Sequence, residues 1–152
     1  MITYTQFFTD SMAATLSQAL SAAGLSFPVT GQVTDAAADD DRIEVRIVGT
    51  EEIIPGNLTL RLDGSIDLML HTADSADAAA AQQKAAQVGG VVLEVLRREW
   101  RRVPLPHPQP GTDAAYEAAP FLVLDLIADP QSVTCEDGAW HFSTDFRAYV
   151  QF

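Results

Sequence analysis

Two long segments of the chain carry apolar residues at the three-to-four-residue spacing of a helix. The apolar face of the first segment consists of Phe8, Met12, Leu16, Leu20 and Ala23. Gly24 follows directly, and glycine is typical of the position just after a helix C-terminus. The second segment starts at a capping residue, Asp74 or Ser75. Its apolar face consists of Ala81, Ala85, Val88, Val92, Val95 and Leu96. These patterns predict two amphipathic helices.

Alternation of apolar and polar residues predicts strands outside the two helices. Ile43, Val45 and Ile47 form one alternating row, and residues 121–127 form a nearly continuous apolar run. The most regular alternation lies at the end of the sequence, where one face consists of Trp140, Phe142, Phe146, Ala148, Val150 and Phe152. The sequence therefore predicts an α+β fold. It has a mixed or antiparallel sheet of about four to five strands, with two helices packed on one face.

Asp63-Gly64 lies between two further apolar rows and predicts a β-hairpin at that point. The rows are Leu58, Leu60 and Leu62, followed by Ile66, Leu68 and Leu70. A loop of three residues would pair Leu62 with Ile66 and place both rows on one face. It would also set Arg61 opposite Asp67, a favourable cross-strand pair.

Length and composition predict a single domain over residues 1–152, with 47% apolar and 20% charged residues. A proline-rich connector at residues 103–111 lies within it, and its alternating prolines predict a stiff spacer that returns the chain to the sheet. The longest apolar run, residues 119–128, contains Pro120 and Asp125, so no membrane span is expected.

The formal net charge of −12 disfavours a phosphate-binding surface over the whole chain. Lys84 is the only lysine, and half of the eight arginines are clustered: Arg97, Arg98, Arg101 and Arg102. One interpretation is a helix C-terminus, where cations complement the helix dipole and Glu94 pairs with Arg98. The other is a docking surface for an acidic partner, or a local contact with nucleic acid.

Two adjacent isoleucines, Ile53 and Ile54, precede a Pro-Gly turn and follow two glutamates. They either pack under the sheet or form an exposed apolar tip that contacts a partner.

The residue types of a hydrolytic triad occur together in His141, Ser143 and Asp145. On one face of a strand, however, neighbouring members stand ~6.6 Å apart, which is beyond hydrogen-bond reach. The three histidines lack the spacing of a metal site, and the single cysteine, Cys135, excludes an internal disulfide. We therefore expect no enzyme activity, no cofactor and no metal.

Two stretches carry a resemblance to a known family. One runs from Gly64 through Ile66, Leu68 and Leu70 to His71 and directly into the second helix; the other is the closing strand from Ala139 to Val150. With the order of elements along nearly the whole chain, they resemble the tail terminator (tail-completion) proteins of long-tailed bacteriophages.

That resemblance implies a structural subunit of the virion, in its tail and neck, assembled in the host cytoplasm. The subunit would form a homo-oligomeric ring, commonly of six copies, that caps the tail tube and contacts tail-tube and head–tail connector proteins. DNA would pass through the ring without specific binding, in agreement with the acidic charge. A head–tail connector or stopper, a tail-tube component and a binding module unrelated to phages are the alternatives. On any of these interpretations, the candidate contact residues are Ile53, Ile54 and the four clustered arginines.

Overall fold

A computed structural model describes residues 4–31, 41–54, 56, 58–71, 78–129, 132–136 and 139–152. The chain forms the helices α1 (Tyr4–Ala22), α2 (Ala78–Leu96) and α3 (Ala114–Ala118). Its strands are β1 (Val29–Thr30), β2 (Arg42–Ile54), β3 (Thr59–His71), β4 (Val103–Pro104), β5 (Leu122–Ala128), β6 (Ser132–Glu136) and β7 (Ala139–Gln151). The predicted capping residues of the second helix, Asp74 and Ser75, lie outside the described residues.

The strands form one mixed, seven-stranded sheet in the order β1-β2-β3-β7-β5-β4, with β6 also paired to β7. Among the described strands, β1 and β2 form a parallel pair, and the other pairs are antiparallel. The α+β class is confirmed, and the sheet has more strands than the four to five predicted. Three strands are additional: β6 has five residues, and β1 and β4 have two residues each, too few to produce an alternating pattern.

Helices α1 and α2 pack against each other and against the sheet, α1 on β1 and β2 and α2 on β3, β5 and β7. The predicted apolar face of α1 is buried from Phe8 to Leu20, and Gly24 has the positive φ of +76° expected at the helix end. One face of the sheet therefore faces the helices and forms the core. The opposite face, which we call the polar face, carries the odd-numbered residues of β3 and β7.

The predicted hairpin at Asp63-Gly64 is wrong, because β3 runs unbroken through these residues. Leu62 and Ile66 lie on the same strand, and the chain reverses earlier, between Ile54 and Thr59. Both apolar rows occupy even positions, so one continuous strand already places them on one face. A Cβ atom at residue 64 would come within 2.6 Å of the Phe146 ring, so glycine is required there by close packing.

The predicted pairing of Arg61 with Asp67 is wrong for the same reason. Arg61 lies opposite Glu51 on β2, and Asp67 lies opposite Glu44. Each charged residue of β3 therefore pairs with residues of the neighbouring strands.

The proline-rich connector returns the chain to the sheet as predicted. Val103 and Pro104 pair with β5 as β4, and Leu105 is buried. Beyond it, rings of α1, α3 and β5 meet: Phe7 lies 5.1 Å from both Tyr116 and Phe121, measured between centroids. In the part of the chain that is described, no helix is long and apolar enough to cross a membrane.

Candidate interaction surfaces

His141, Ser143 and Asp145, the residues with the types of a hydrolytic triad, lie on the polar face of the sheet, where Ser143 and His141 have neighbours on β3. Ser143 donates its hydroxyl proton to Asp67 Oδ1 of β3 at 2.6 Å. His141 lies opposite Met69 of β3, two residues along β7. Among the described residues, no group of three or more His, Cys, Asp or Glu is arranged to hold a metal ion. The absence of catalytic chemistry stays a prediction.

Charged residues on the polar face are joined in cross-strand pairs. Arg46 Nε of β2 donates to Asp67 Oδ2 at 3.0 Å, and Arg147 Nε of β7 donates to Asp63 Oδ1 at 3.0 Å. Arg61 Nη2 lies 2.8 Å from a carboxylate oxygen of Glu51. The fourth arginine of this face, Arg42, lies 3.8 Å from Glu44. All four arginines of the sheet thus have a carboxylate neighbour.

The pKa values of two of these arginines reflect this pairing. The hydrogen bond to Asp67 and the charge of that carboxylate raise the pKa of Arg46 above its ordinary value. The hydrogen bond to Asp63, followed by one to Tyr149, raises the pKa of Arg147. Both arginines therefore remain charged, and their charges are balanced locally.

Two shallow grooves of about 380 and 390 Å³ cross the polar face. Arg46 and Asp67 line the first, and Asp63 and Arg147 line the second. In the first groove, the arginines are already paired with carboxylates of the chain. The second groove also carries the carboxylates of Asp129 and Asp145, which have no cationic partner among the described residues, so its net charge is negative.

The other four arginines lie in a turn of residues 97–102, which we call the arginine turn. It follows the last residue of α2, Leu96, so these cations lie beyond the last turn of the helix. Trp100 is buried in the core, and its indole Nε1 donates to the carbonyl oxygen of Val95 at 2.9 Å. Arg102 has a φ of +54°, a left-handed conformation that is uncommon for a residue other than glycine. The turn is therefore fixed to the core by a tryptophan while its arginines point outward.

The side chains of the arginine turn are exposed and have few partners. Arg101 Nε lies 3.9 Å from Glu99, and both side chains are about 80% exposed. The predicted pair of Glu94 with Arg98 is not formed: in the described part of the chain, neither side chain lies within 4.0 Å of an opposite charge. The arginine turn therefore carries positive charge that the described residues do not balance.

Arg98 stands at the border of two grooves. One groove, of about 270 Å³, lies between the C-terminal ends of α1 and α2 and is lined by Ala19, Ala22, Ala23, Val91, Glu94, Val95 and Arg98. The other, of about 130 Å³, lies beside Trp100 and Pro104. A cation therefore flanks a mainly apolar groove.

Ile53 and Ile54 are exposed by 41% and 48%, so the structure agrees with the exposed tip and not with packing under the sheet. They end β2, and the exposed Leu58 lies across the chain reversal from them. We call residues 51–54 together with Leu58 the tip. Its first two residues are the exposed glutamates Glu51 and Glu52.

The tip belongs to an edge of the sheet that is largely unpaired in the described residues. β1 covers only Ile43 and Glu44 of β2, and no other described strand pairs with the rest of that side. On the opposite edge, β4 covers only Leu122 and Val123 of β5. Two different open edges therefore lie on opposite sides of one sheet.

Two exposed apolar residues on these edges were not predicted from the sequence. Val48 is 75% exposed at a bulge of β2 between Ile47 and Gly49, and Ile127 of β5 is 54% exposed. The signal for Val48 was available, since Ile47-Val48-Gly49 interrupts the alternation and a glycine within a strand often marks a bulge. Nothing in the apolar run of β5 distinguishes Ile127 from its buried neighbours.

No protein-family model matches this chain, and no curated protein matches it. Among solved structures, the chain is similar to a protein from the virion of native gene transfer agent (GTA) particle. The two share 13% sequence identity and a TM-score of 0.48, over 98% of this chain and 95% of that chain. A second solved structure has 19% identity and a TM-score of 0.44, over 94% of this chain and 95% of its own. Both TM-scores are below 0.5, and the proposal below therefore rests on the sequence and geometry of this chain.

Proposed function

We propose that this protein is a structural subunit of a phage-like tail. Copies of it associate head to tail in a ring that caps the tail tube and joins it to the head. In this role it has no catalytic activity and no cofactor, and it is a component of the virion.

The observation that carries the proposal is the sheet with two different open edges. An unpaired strand edge is a template for another chain. Because the β2 edge and the β5 edge differ, a contact between them is heterologous, and repetition of a heterologous contact closes into a ring when the rotation permits. Apolar side chains at both edges, Val48 on one and Ile127 on the other, supply area to bury.

Charge supports the same proposal. The net charge is −12, and the arginines of the polar face already have carboxylate neighbours, which leaves little attraction for phosphates there. A ring through which DNA passes needs a lumen that does not retain it, and an acidic lumen meets that need. The sequence resemblance to tail terminator proteins agrees with this role.

The proposal is tested by imaging the purified protein alone and mixed with tails that lack their terminal ring. We expect rings in solution or a ring at one end of each tail. Rings at the head vertex alone would indicate a connector or stopper, and incorporation along the tube would indicate a tube component. If the wild-type protein forms no ring, alone or on tails, the proposal is wrong.

The double variant Ile53→Asp with Ile54→Asp tests the role of the tip in this assembly. Charged side chains on the β2 edge should prevent the contact, while the exposed positions leave the fold intact. Gln82→Asp with Gln83→Asp on the exposed side of α2 is the control, because it adds the same charge on a helix that packs over β3, β5 and β7, away from the tip. Normal assembly of the tip variant would exclude the tip from the contact.

A further inference from the structure

The arginine turn and the tip lie far apart in one copy of the chain, but the arginine turn of one copy is complementary to the tip of another. The arginine turn is cationic and borders an apolar groove between α1 and α2. The tip is apolar and carries Glu51 and Glu52. The chain has a net charge of −12 and only nine basic residues. A cluster of arginines without carboxylate partners is therefore unusual in it, and an acidic partner surface would complement that cluster.

The position of the two surfaces excludes a contact within one copy. The tip ends β2, and the arginine turn leads directly into β4, four strands away in the sheet. At ~4.8 Å between neighbouring strands, this separation is roughly 19 Å across a rigid sheet. A tip can therefore reach an arginine turn only on another copy.

The sizes and chemistry of the surfaces match. The groove of about 270 Å³ has walls of small apolar residues, among them Ala19, Ala22 and Val91. Two isoleucine side chains need an apolar cleft of this order. Arg98 stands at the groove, and Arg101 follows it in the same exposed turn.

We infer that the tip of one copy docks into the groove beside the arginine turn of the next copy. Ile53 and Ile54 enter the groove between α1 and α2. Glu52 Oε1 accepts a hydrogen bond from the backbone N–H of Gly56 at 2.8 Å, and the other carboxylate oxygen of Glu52 faces Arg98 and Arg101. This inference rests on the proposed ring and adds a second contact to its subunit interface, beside the contact between the two sheet edges. It assigns the arginine turn to a second copy of this chain rather than to nucleic acid.

The test reverses the charge of each surface separately. The turn-reversed protein carries Arg98→Glu and Arg101→Glu. The tip-reversed protein carries Thr50→Lys and Glu52→Lys; Glu51 stays unchanged because it pairs with Arg61 on β3. Neither protein should form rings by itself, because each then presents like charges at the contact. We expect association at least tenfold weaker than wild type, measured by mass photometry and electron microscopy.

Mixing the two variants gives the decisive result. The turn-reversed copy retains an acidic tip, which fits the unchanged arginine turn of the tip-reversed copy. The basic tip of the latter fits the reversed turn of the former. We therefore expect rings only in the mixture, with the two variants alternating, and this rescue also shows that both proteins are folded. If neither variant forms rings alone and their mixture forms none either, the inference is wrong.

A matched control separates the site from total charge. Gln83→Glu, Lys84→Glu and Gln87→Glu together change the net charge as much as the turn-reversed variant, on the exposed side of α2. This protein should assemble as wild type does. Wild-type association should also weaken as salt rises from about 50 mM to about 500 mM, because the contact pairs exposed charges.

The outcomes separate this inference from the proposed function. If wild-type rings form and the turn-reversed protein forms them equally well, the inference alone is wrong. If wild-type protein never forms rings, the proposed function fails and the inference with it. Binding of a short DNA duplex that Arg98→Glu with Arg101→Glu abolishes, with rings unaffected, would assign the turn to nucleic acid and overturn the inference.

Discussion

The eight arginines of this chain form two groups of four that differ in their surroundings. On the polar face of the sheet, each arginine has a carboxylate neighbour, such as Asp67 for Arg46 and Asp63 for Arg147. In the arginine turn, the described residues provide one distant neighbour, Glu99 beside Arg101. The comparison shows that an arginine with a carboxylate neighbour on the sheet stabilises the fold. An exposed arginine without such a neighbour, in a turn that is itself held in place, is available to a partner.

The largest effect is expected where the anchor of the arginine turn is removed. Trp100→Ala should lower the free energy of unfolding by about 3–5 kcal/mol, because it leaves a cavity under the turn. Chemical denaturation measures this loss. Trp100→Phe, which retains an aromatic ring and loses the hydrogen bond to Val95, should lose only about 1 kcal/mol. An unchanged stability for Trp100→Ala would mean that the turn is not held by this side chain.

The pairing on the polar face is tested at its most connected carboxylate. Asp67 accepts hydrogen bonds from Arg46, Ser65 and Ser143, so Asp67→Ala leaves these three donors without that acceptor. We expect a loss of about 1 kcal/mol, since the site is partly exposed and solvent weakens the ion pair. Thermal unfolding monitored by circular dichroism measures it. A loss below the error of the method would remove the distinction between the two groups.

A change in the opposite direction is expected at Arg102. Its left-handed backbone conformation suits glycine, so Arg102→Gly should raise the free energy of unfolding by about 0.5–1 kcal/mol. Arg101→Gly is the control, because among the described non-glycine residues Arg102 alone has a positive φ. Equal effects of the two substitutions would show that the backbone conformation is not the cause.

The smallest effect is expected for the exposed arginines themselves. Arg98→Ala with Arg101→Ala should change the free energy of unfolding by less than about 0.5 kcal/mol, because neither side chain has a close partner in the described part of the chain. The free energies of unfolding of this double variant and of Asp67→Ala, measured under the same conditions, compare the two groups of arginines directly. A loss as large as that of Asp67→Ala would show that the turn arginines stabilise the fold.

The sequence predicts the parts of this fold that depend on local pattern. The apolar face of α1 and the alternation of β7 extend over several turns or pairs, and both are confirmed. The Asp63-Gly64 pair is typical of a turn, but the alternation of apolar residues continues through it, as expected of one strand. Glycine occurs there because a side chain at residue 64 would collide with the Phe146 ring. The short strands β1 and β4 exist only through their neighbours, so no local pattern marks them.

For the candidate surfaces, the sequence predicted position but not pairing. It placed Arg98 and Arg101 at the C-terminus of a helix, and the structure has them beyond its last residue, Leu96. The sequence does not show that Arg98 and Arg101 lack a carboxylate partner while Arg147 has one, because the partner of Arg147, Asp63, is 84 residues away in the chain. Cross-strand partners depend on register, which only the folded sheet determines.

The edge position of β2 gives its amide hydrogens a distinctive rate of exchange with solvent. β3 and β7 are paired on both sides, so their amides should exchange only when the domain opens globally. Beyond Glu44, β3 is the one described strand that pairs with β2, so the amides of β2 should alternate between protected and fast-exchanging. The bulges at Ile47–Gly49 and Glu52–Ile54 interrupt that alternation at two known points. A fast amide of β2 that becomes slow on assembly therefore marks a residue that the neighbouring copy covers.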